Sequence, residues 1–214
     1  MQFQFNKHYN LEGRHALLSA SSWRWINDDE DSLMQRICSQ YSQTMGTLLH
    51  EIACKHIKHR IKLNKYDKKN VVLELLSNGI PGMVIDHIDM DSIFENMMNY
   101  VNDGIGFKME PEVVLCYSDN FFGTADTIKF SEEEKILRIH DYKSGVTPAH
   151  IEQLMIYAAL FCLEYRIKPA TIEIELRIYQ SGEIIYHNPT VDELVPIMDK
   201  IVTTDKFMTK MKEA

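Results

Sequence analysis

The chain reads as an α/β protein. Three observations predict this class. Apolar residues recur at helical spacing from about 30 to 101. Three strand-like runs follow between 110 and 142, the last two separated by the acidic turn SEEEK. A helical pattern and then a strictly alternating strand come after Pro148.

The helical part is justified by period. Leu33, Ile37, Tyr41, Met45, Leu48, Leu49, Ile52, Ala53 and Ile57 recur near 3.6 residues, which predicts one long helix or two shorter ones over about 30–62. The acidic run 28–31 suits the positive end of that helix. A short helix over 68–79 ends at Asn78-Gly79, and Pro81-Gly82 breaks the chain. A second amphipathic helix is expected over 85–101, stopped by Asn102-Asp103-Gly104. Before all of these, Trp23 and Trp25 read more readily as core than as base-stacking residues.

The strands come next. In 110–117 both alternating sets are largely apolar, which predicts a strand covered on both sides. Pro148 opens a helix over 149–165. Residues 171–179 alternate Ile172, Ile174, Leu176 and Ile178 with polar positions, and 184–186 form a last short strand after Gly182. Thr190, with Asp192 and Glu193 in the first turn, opens a helix over 191–202. A frayed or docked helix is expected after it. The whole reads as a single domain over 1–214, with a helical part to about 105, a sheet core over about 106–190 and a helical tail.

Composition excludes some classes. No apolar run approaches the ~18 residues of a membrane span, and the N-terminus lacks the apolar stretch of a secretory signal. Cys38, Cys54, Cys116 and Cys162 are scattered, so reduced thiols in a cytoplasmic setting are expected. The net charge of -8 argues against nucleic-acid binding by bulk charge. One stretch runs the other way: Lys55, Lys58, Arg60, Lys62, Lys65, Lys68 and Lys69, with Asp67 the only acid among them. It suits a phosphate backbone, or simply a solvated helix face.

Chemistry concentrates between Phe122 and Tyr157. If SEEEK closes a hairpin pairing Phe130 with Leu137, Ile128 meets Ile139 and Asp126 meets Asp141 on one face. Thr127, Lys129, Arg138 and His140 then form a polar face. Lys143 shares parity with Asp141. Two carboxylates ending an apolar stripe raise each other's pKa unless a cation lies between them. Mg2+ or Mn2+ suits oxygen donors, and such an ion polarises a phosphate and helps deprotonate water. The same pattern also fits a hairpin with an exposed aspartate pair and a solvated lysine. His50, alone on an apolar helix face, reads by itself as a satisfied core histidine. Glu110 and Glu112 share parity, and by itself either reads equally well as a solvated strand entry.

Taken together, the segments GTAD at 123–126, DYK at 141–143 and QLMIY at 153–157, with Gly46 and His50 upstream, resemble the core motifs of the PD-(D/E)XK nucleases, in particular the RecB-like exonuclease branch. The resemblance covers about Gly46 to Tyr157 and the strands after it. Ala125 stands where the motif often has proline, a departure this branch tolerates. The resemblance implies a restriction-endonuclease-like core, a central mixed β-sheet flanked by α-helices. It implies Mg2+ or Mn2+ held by Asp126, Asp141, the Tyr142 carbonyl and His50, with Lys143 positioning water and Glu112 or Glu110 as an addition. Gln153 and Tyr157 would contact the strand being cut, with Lys55, Lys58, Arg60 and Lys62 on its backbone. Some members hold an iron–sulfur cluster through late cysteines; none follows Cys162, so no cluster is expected. The implied activity is a metal-dependent DNA exonuclease of bacterial or phage recombination, repair or replication. A single-strand annealing protein or helicase is the implied partner. The alternatives are a structure-specific or nicking endonuclease, and a catalytically silent nucleic-acid-binding module on the same fold.

Overall fold

The computed structural model describes residues 4–14 and 16–213. The chain divides into two compact units, residues 1–44 and 45–214.

In the first unit, 3-10 turns span Tyr9–Leu11 and Ala20–Asn27, and helix α1 (Glu30–His59) begins. Trp25 Nε1 donates to the Ser19 carbonyl at 3.0 Å. Arg36 pairs with Asp28 at 2.7 Å. Trp23 is 61% exposed, so the core reading fails for it.

The second unit begins within α1, which runs unbroken to His59 and ends where Arg60 turns left-handed (φ 57). Helices α2 (Lys68–Ser77), α3 (Gly82–Asp86) and α4 (Met90–Gly106) follow. Strands β1 (Glu110–Ser118), β2 (Phe121–Ser131) and β3 (Ile136–Tyr142) form a meander. Helix α5 (Glu152–Glu164) crosses to β4 (Glu173–Gln180), then β5 (Glu183–His187) and helix α6 (Val191–Glu213). The sheet order is β1-β2-β3-β4-β5, with β3 and β4 parallel and every other pair antiparallel. The protein is therefore α/β, with a five-stranded mixed sheet flanked by helices. Among the described residues no helix is long and apolar enough to cross a membrane.

The main core joins Leu137, Ile139, Ile174 and Leu176 of the sheet to Leu154, Ala158 and Ala159 of α5 and Leu194 of α6. Each large aliphatic side chain buried there contributes about 1.5–3 kcal/mol. The hairpin register is the expected one: Thr127 meets His140, Ile128 meets Ile139 and Phe130 meets Leu137.

Several expectations need correction. The helix predicted over 85–101 is two helices, because Asp89 caps α4 by accepting from the Ser92 amide at 3.0 Å. Asn102, Asp103 and Gly104 do not stop α4, since tertiary contacts hold all three inside it. Asn102 bonds both backbone groups of Leu63 at 2.9 Å. Asp103 accepts from Arg177 and Tyr179. Gly104 lies under Ile57 of α1, where a Cβ would come within 3.1 Å of Ile57 Cδ1. Strand β1 is an edge strand with one open face: Val114 is 57% exposed and Cys116 is exposed. The segment 203–213 is no separate tail but the continuation of α6, whose start is fixed by a reciprocal Thr190–Glu193 cap.

The polar face of the hairpin is not solvated. Helix α4 lies against β3 and β4, and His140 and Thr127 are fully buried. Glu175 takes Arg177 at 3.0 Å and both Arg138 and His140 at 3.5 Å. The Phe107 ring lies near both guanidinium groups, 4.7 and 5.0 Å from its centroid. Burial holds His140 below its usual pKa, so a neutral imidazole meets Glu175. Glu175 offsets the charge of both arginines, although Arg138 Nε and Arg177 Nε are buried without a hydrogen bond.

Candidate active site

The carboxylates lie one step beyond the paired part of the hairpin. Asp126 is on β2, Asp141 and Tyr142 end β3, and Lys143 follows. The Lys143 amide continues the sheet by donating to the Tyr179 carbonyl at 3.0 Å. Helix α1 supplies His50, whose Nδ1 lies 3.3 Å from Asp126 Oδ2. The Tyr142 amide donates to that same oxygen at 3.3 Å. Lys143 Nζ donates to Asp141 Oδ1 at 3.0 Å.

Burial dominates the electrostatics. Asp141 is 2% exposed. Burial first, and the Asp126 charge second, push its carboxyl up to about 7, against the pull of Lys143. Burial also raises Asp126, while bonds from the Tyr142 amide and Asp141 lower it. The two acids titrate as a pair, and burial holds both above the usual carboxylate range. Burial lowers His50, whose ring also bonds the Tyr142 backbone. The His50–Asp126 contact is therefore a neutral imidazole against a carboxylate, although its distance alone would suit an ion pair.

The sequence left Glu110 and Glu112 equivalent; the backbone separates them. Glu112 has φ 57, a left-handed conformation rare inside a strand. Its neighbours Pro111 and Val113 pair with Thr127 and Ala125, which puts Glu112 opposite Asp126. Alternation breaks there. Glu110 and Val113, three apart, line one groove with Ile128 and Phe130, while Glu112 lines another with His50. Glu112 joins the site and Glu110 does not, because shared parity holds only in regular strand.

That second cavity has a volume of about 510 Å3. Thr47, His50, Glu51, Cys54, Lys55, Lys58 and His59, all on α1, line it with Glu112. Lys55 and Lys58 thus stand one and two turns beyond His50. Arg60 and Lys62 lie past the helix end, exposed and outside the cavity lining. On α5, Gln153 is exposed, and Tyr157 is half-buried with its ring against β2 at Gly123. Gly46 faces Ser144, whose Oγ would sit 3.4 Å from an added Cβ.

Other supporting contacts carried no sequence signal. Tyr142 is fully buried, its ring 5.3 Å from His50 and 5.8 Å from Tyr100, and its hydroxyl donates to the Ile93 carbonyl. Tyr100 bonds Thr127. Gln180 donates to the carbonyls of Gly145 and Thr147 at 2.6 and 2.7 Å and accepts from the Ala149 amide at 2.9 Å. These bonds hold residues 145–149 in a bent, non-helical path, and α5 starts at Glu152 and not at 149.

The donor set can be tested for a divalent cation. Among the described residues no three His, Cys, Asp or Glu side chains gather into a ready metal cage. Mg2+ does not need one: it takes one or two carboxylates and completes its shell with water and phosphate oxygens. Asp141 Oδ2 is buried with no hydrogen-bond partner, although Lys143 Nζ is 3.0 Å away. A buried, unpartnered carboxylate oxygen beside a second carboxylate fits such an ion.

Fold and site define a class: a mixed-sheet α/β protein with paired carboxylates, a lysine and a histidine at the end of its central strands. The chain belongs to the DUF2800 family, described as a protein of unknown function, whose pattern matches residues 15–209. No curated protein and no solved structure matches the chain.

Proposed function

We propose that this protein is a divalent-metal-dependent DNA nuclease with a restriction-endonuclease-like core of the PD-(D/E)XK type. The observation that carries the reading is the half-buried Asp126 beside the buried Asp141, with Asp141 Oδ2 unpartnered and Lys143 against it. Burying two acids together is unfavourable, and a bound cation removes that conflict.

Asp126 and Asp141 would hold Mg2+ or Mn2+, with the Tyr142 carbonyl, His50 and Glu112 as further donors. When bound, the ion supplies Lewis-acid polarisation of a phosphate and a more acidic water. Lys143 orients the attacking water and offsets charge developing on the phosphate. Lys55 and Lys58 neutralise backbone phosphates one and two helical turns away, and Gln153 and Tyr157 hold the strand being cut. Within this reading the protein is an intracellular exonuclease of bacterial or phage recombination, repair or replication, acting with a single-strand annealing protein or helicase.

The test is cleavage of end-labelled linear duplex and single-stranded DNA with Mg2+, Mn2+ or EDTA, beside Asp141→Ala. Metal-dependent release of short products by the wild type alone supports the reading, and resistance of circular DNA supports an exonuclease. A folded wild type that cuts nothing under either metal would falsify it. Asp126→Asn and Lys143→Ala are each expected to lower the cleavage rate at least about 100-fold.

A further inference from the structure

We infer that Gly123 is a positioning residue: its missing side chain seats the Tyr157 ring on the bare backbone of β2 and so fixes where the Tyr157 hydroxyl meets DNA. The inference rests on the nuclease reading above.

Gly123 is not required by backbone conformation. It lies outside the left-handed region that favours glycine, in a paired strand opposite Leu115. Space is what it provides. A Cβ there would stand 2.9 Å from Tyr157 Cε1, closer than real Cβ contacts come, with Cζ and the hydroxyl oxygen both 3.7 Å away. Glycine inside a strand often marks such a close approach. Tyr157 is half-buried against the main core, so its ring is held on one side by packing and on the other by the strand. A methyl group at 123 displaces the ring, because β2 is paired with β1 there, opposite Leu115, and the ring is the freer of the two to move.

The seat has a direction. Gly123 precedes Asp126 by three residues, about 10 Å along a strand. The seat therefore lies beside the carboxylates and not at them, which suits the phosphate next to the one being cut. Gly123 itself touches no substrate.

The test is a double-mutant cycle over Gly123→Ala and Tyr157→Ala, reading kcat, KM and thermal midpoint on linear DNA with Mg2+. Gly123→Ala alone is expected to raise KM about 10-fold or more, the scale of one lost hydrogen bond to a charged group. In the Tyr157→Ala background it should change KM less than about 2-fold, and the thermal midpoint should show the same coupling. Wild-type KM in Gly123→Ala, or an equal further loss in the Tyr157→Ala background, overturns the inference while leaving the nuclease reading intact. A wild type that cleaves no DNA overturns both.

Discussion

Asp141 is costly to ionise in the folded chain and free to ionise in the unfolded one. Its carboxyl rises from 3.8 to about 7. Between those values the folded state binds more protons, so stability falls as pH rises through this window and levels off above it. The full shift corresponds to about 4 kcal/mol, less where Asp126 titrates with it. His50 has the opposite sign: burial lowers it, so it opposes folding as pH falls below about 6.5. The difference between wild type and Asp141→Asn isolates the aspartate. With EDTA at pH 8, Asp141→Asn should melt several degrees above wild type, and the gap should close at pH 4. Calorimetry at the two pH values measures this, and equal midpoints at pH 8 would refute it. The same proton competes with a metal, so Mg2+ affinity by isothermal titration should rise from pH 6 to pH 8.

At the scale of elements, α4 is the clearest conflict between local signal and outcome. Its last two turns contain Asn, Asp and Gly, each a poor helix residue, and each is held by a partner far along the chain. Asn102→Ala leaves the buried Leu63 amide and carbonyl unpaired and should cost about 1–3 kcal/mol by urea unfolding. Gly104→Ala sets two effects against each other. Helix propensity gains about 1 kcal/mol, whereas overpacking a fully buried Ile57 from 3.1 Å costs about 1–3. Overpacking wins, so the variant should be less stable despite its better helix former. A raised urea midpoint would show that Ile57 has room to move.

At the scale of the molecule, charge and site are at odds. The chain carries -8 overall, yet α1 places Lys55 and Lys58 in the cavity beside His50. Affinity for DNA should therefore depend on few phosphates and fall with salt on a shallow slope. Replacing both lysines with alanine should reduce that slope by about 1.4–1.8 in log–log terms, roughly 0.7–0.9 per phosphate contact. Fluorescence anisotropy across a salt series reads it, and an unchanged slope would remove these lysines from the interface.

The α/β class, the hairpin register and the meeting of Asp126, Asp141 and Lys143 at one strand end were legible in residue order. Each depends on period or on neighbours close in sequence, and a two-residue period leaves no slack once one face is apolar. Tertiary structure alone decided which glutamate joins the site, because the left-handed turn at Glu112 breaks the parity that made Glu110 its equal. It alone buried the polar face carrying His140, Glu175 and Arg177, since those charges become tolerable only when α4 and Phe107 close over partners from separate strands. It alone seated Tyr157 on Gly123, a contact set by the distance between a helix and a strand 34 residues apart, on which neither local sequence bears.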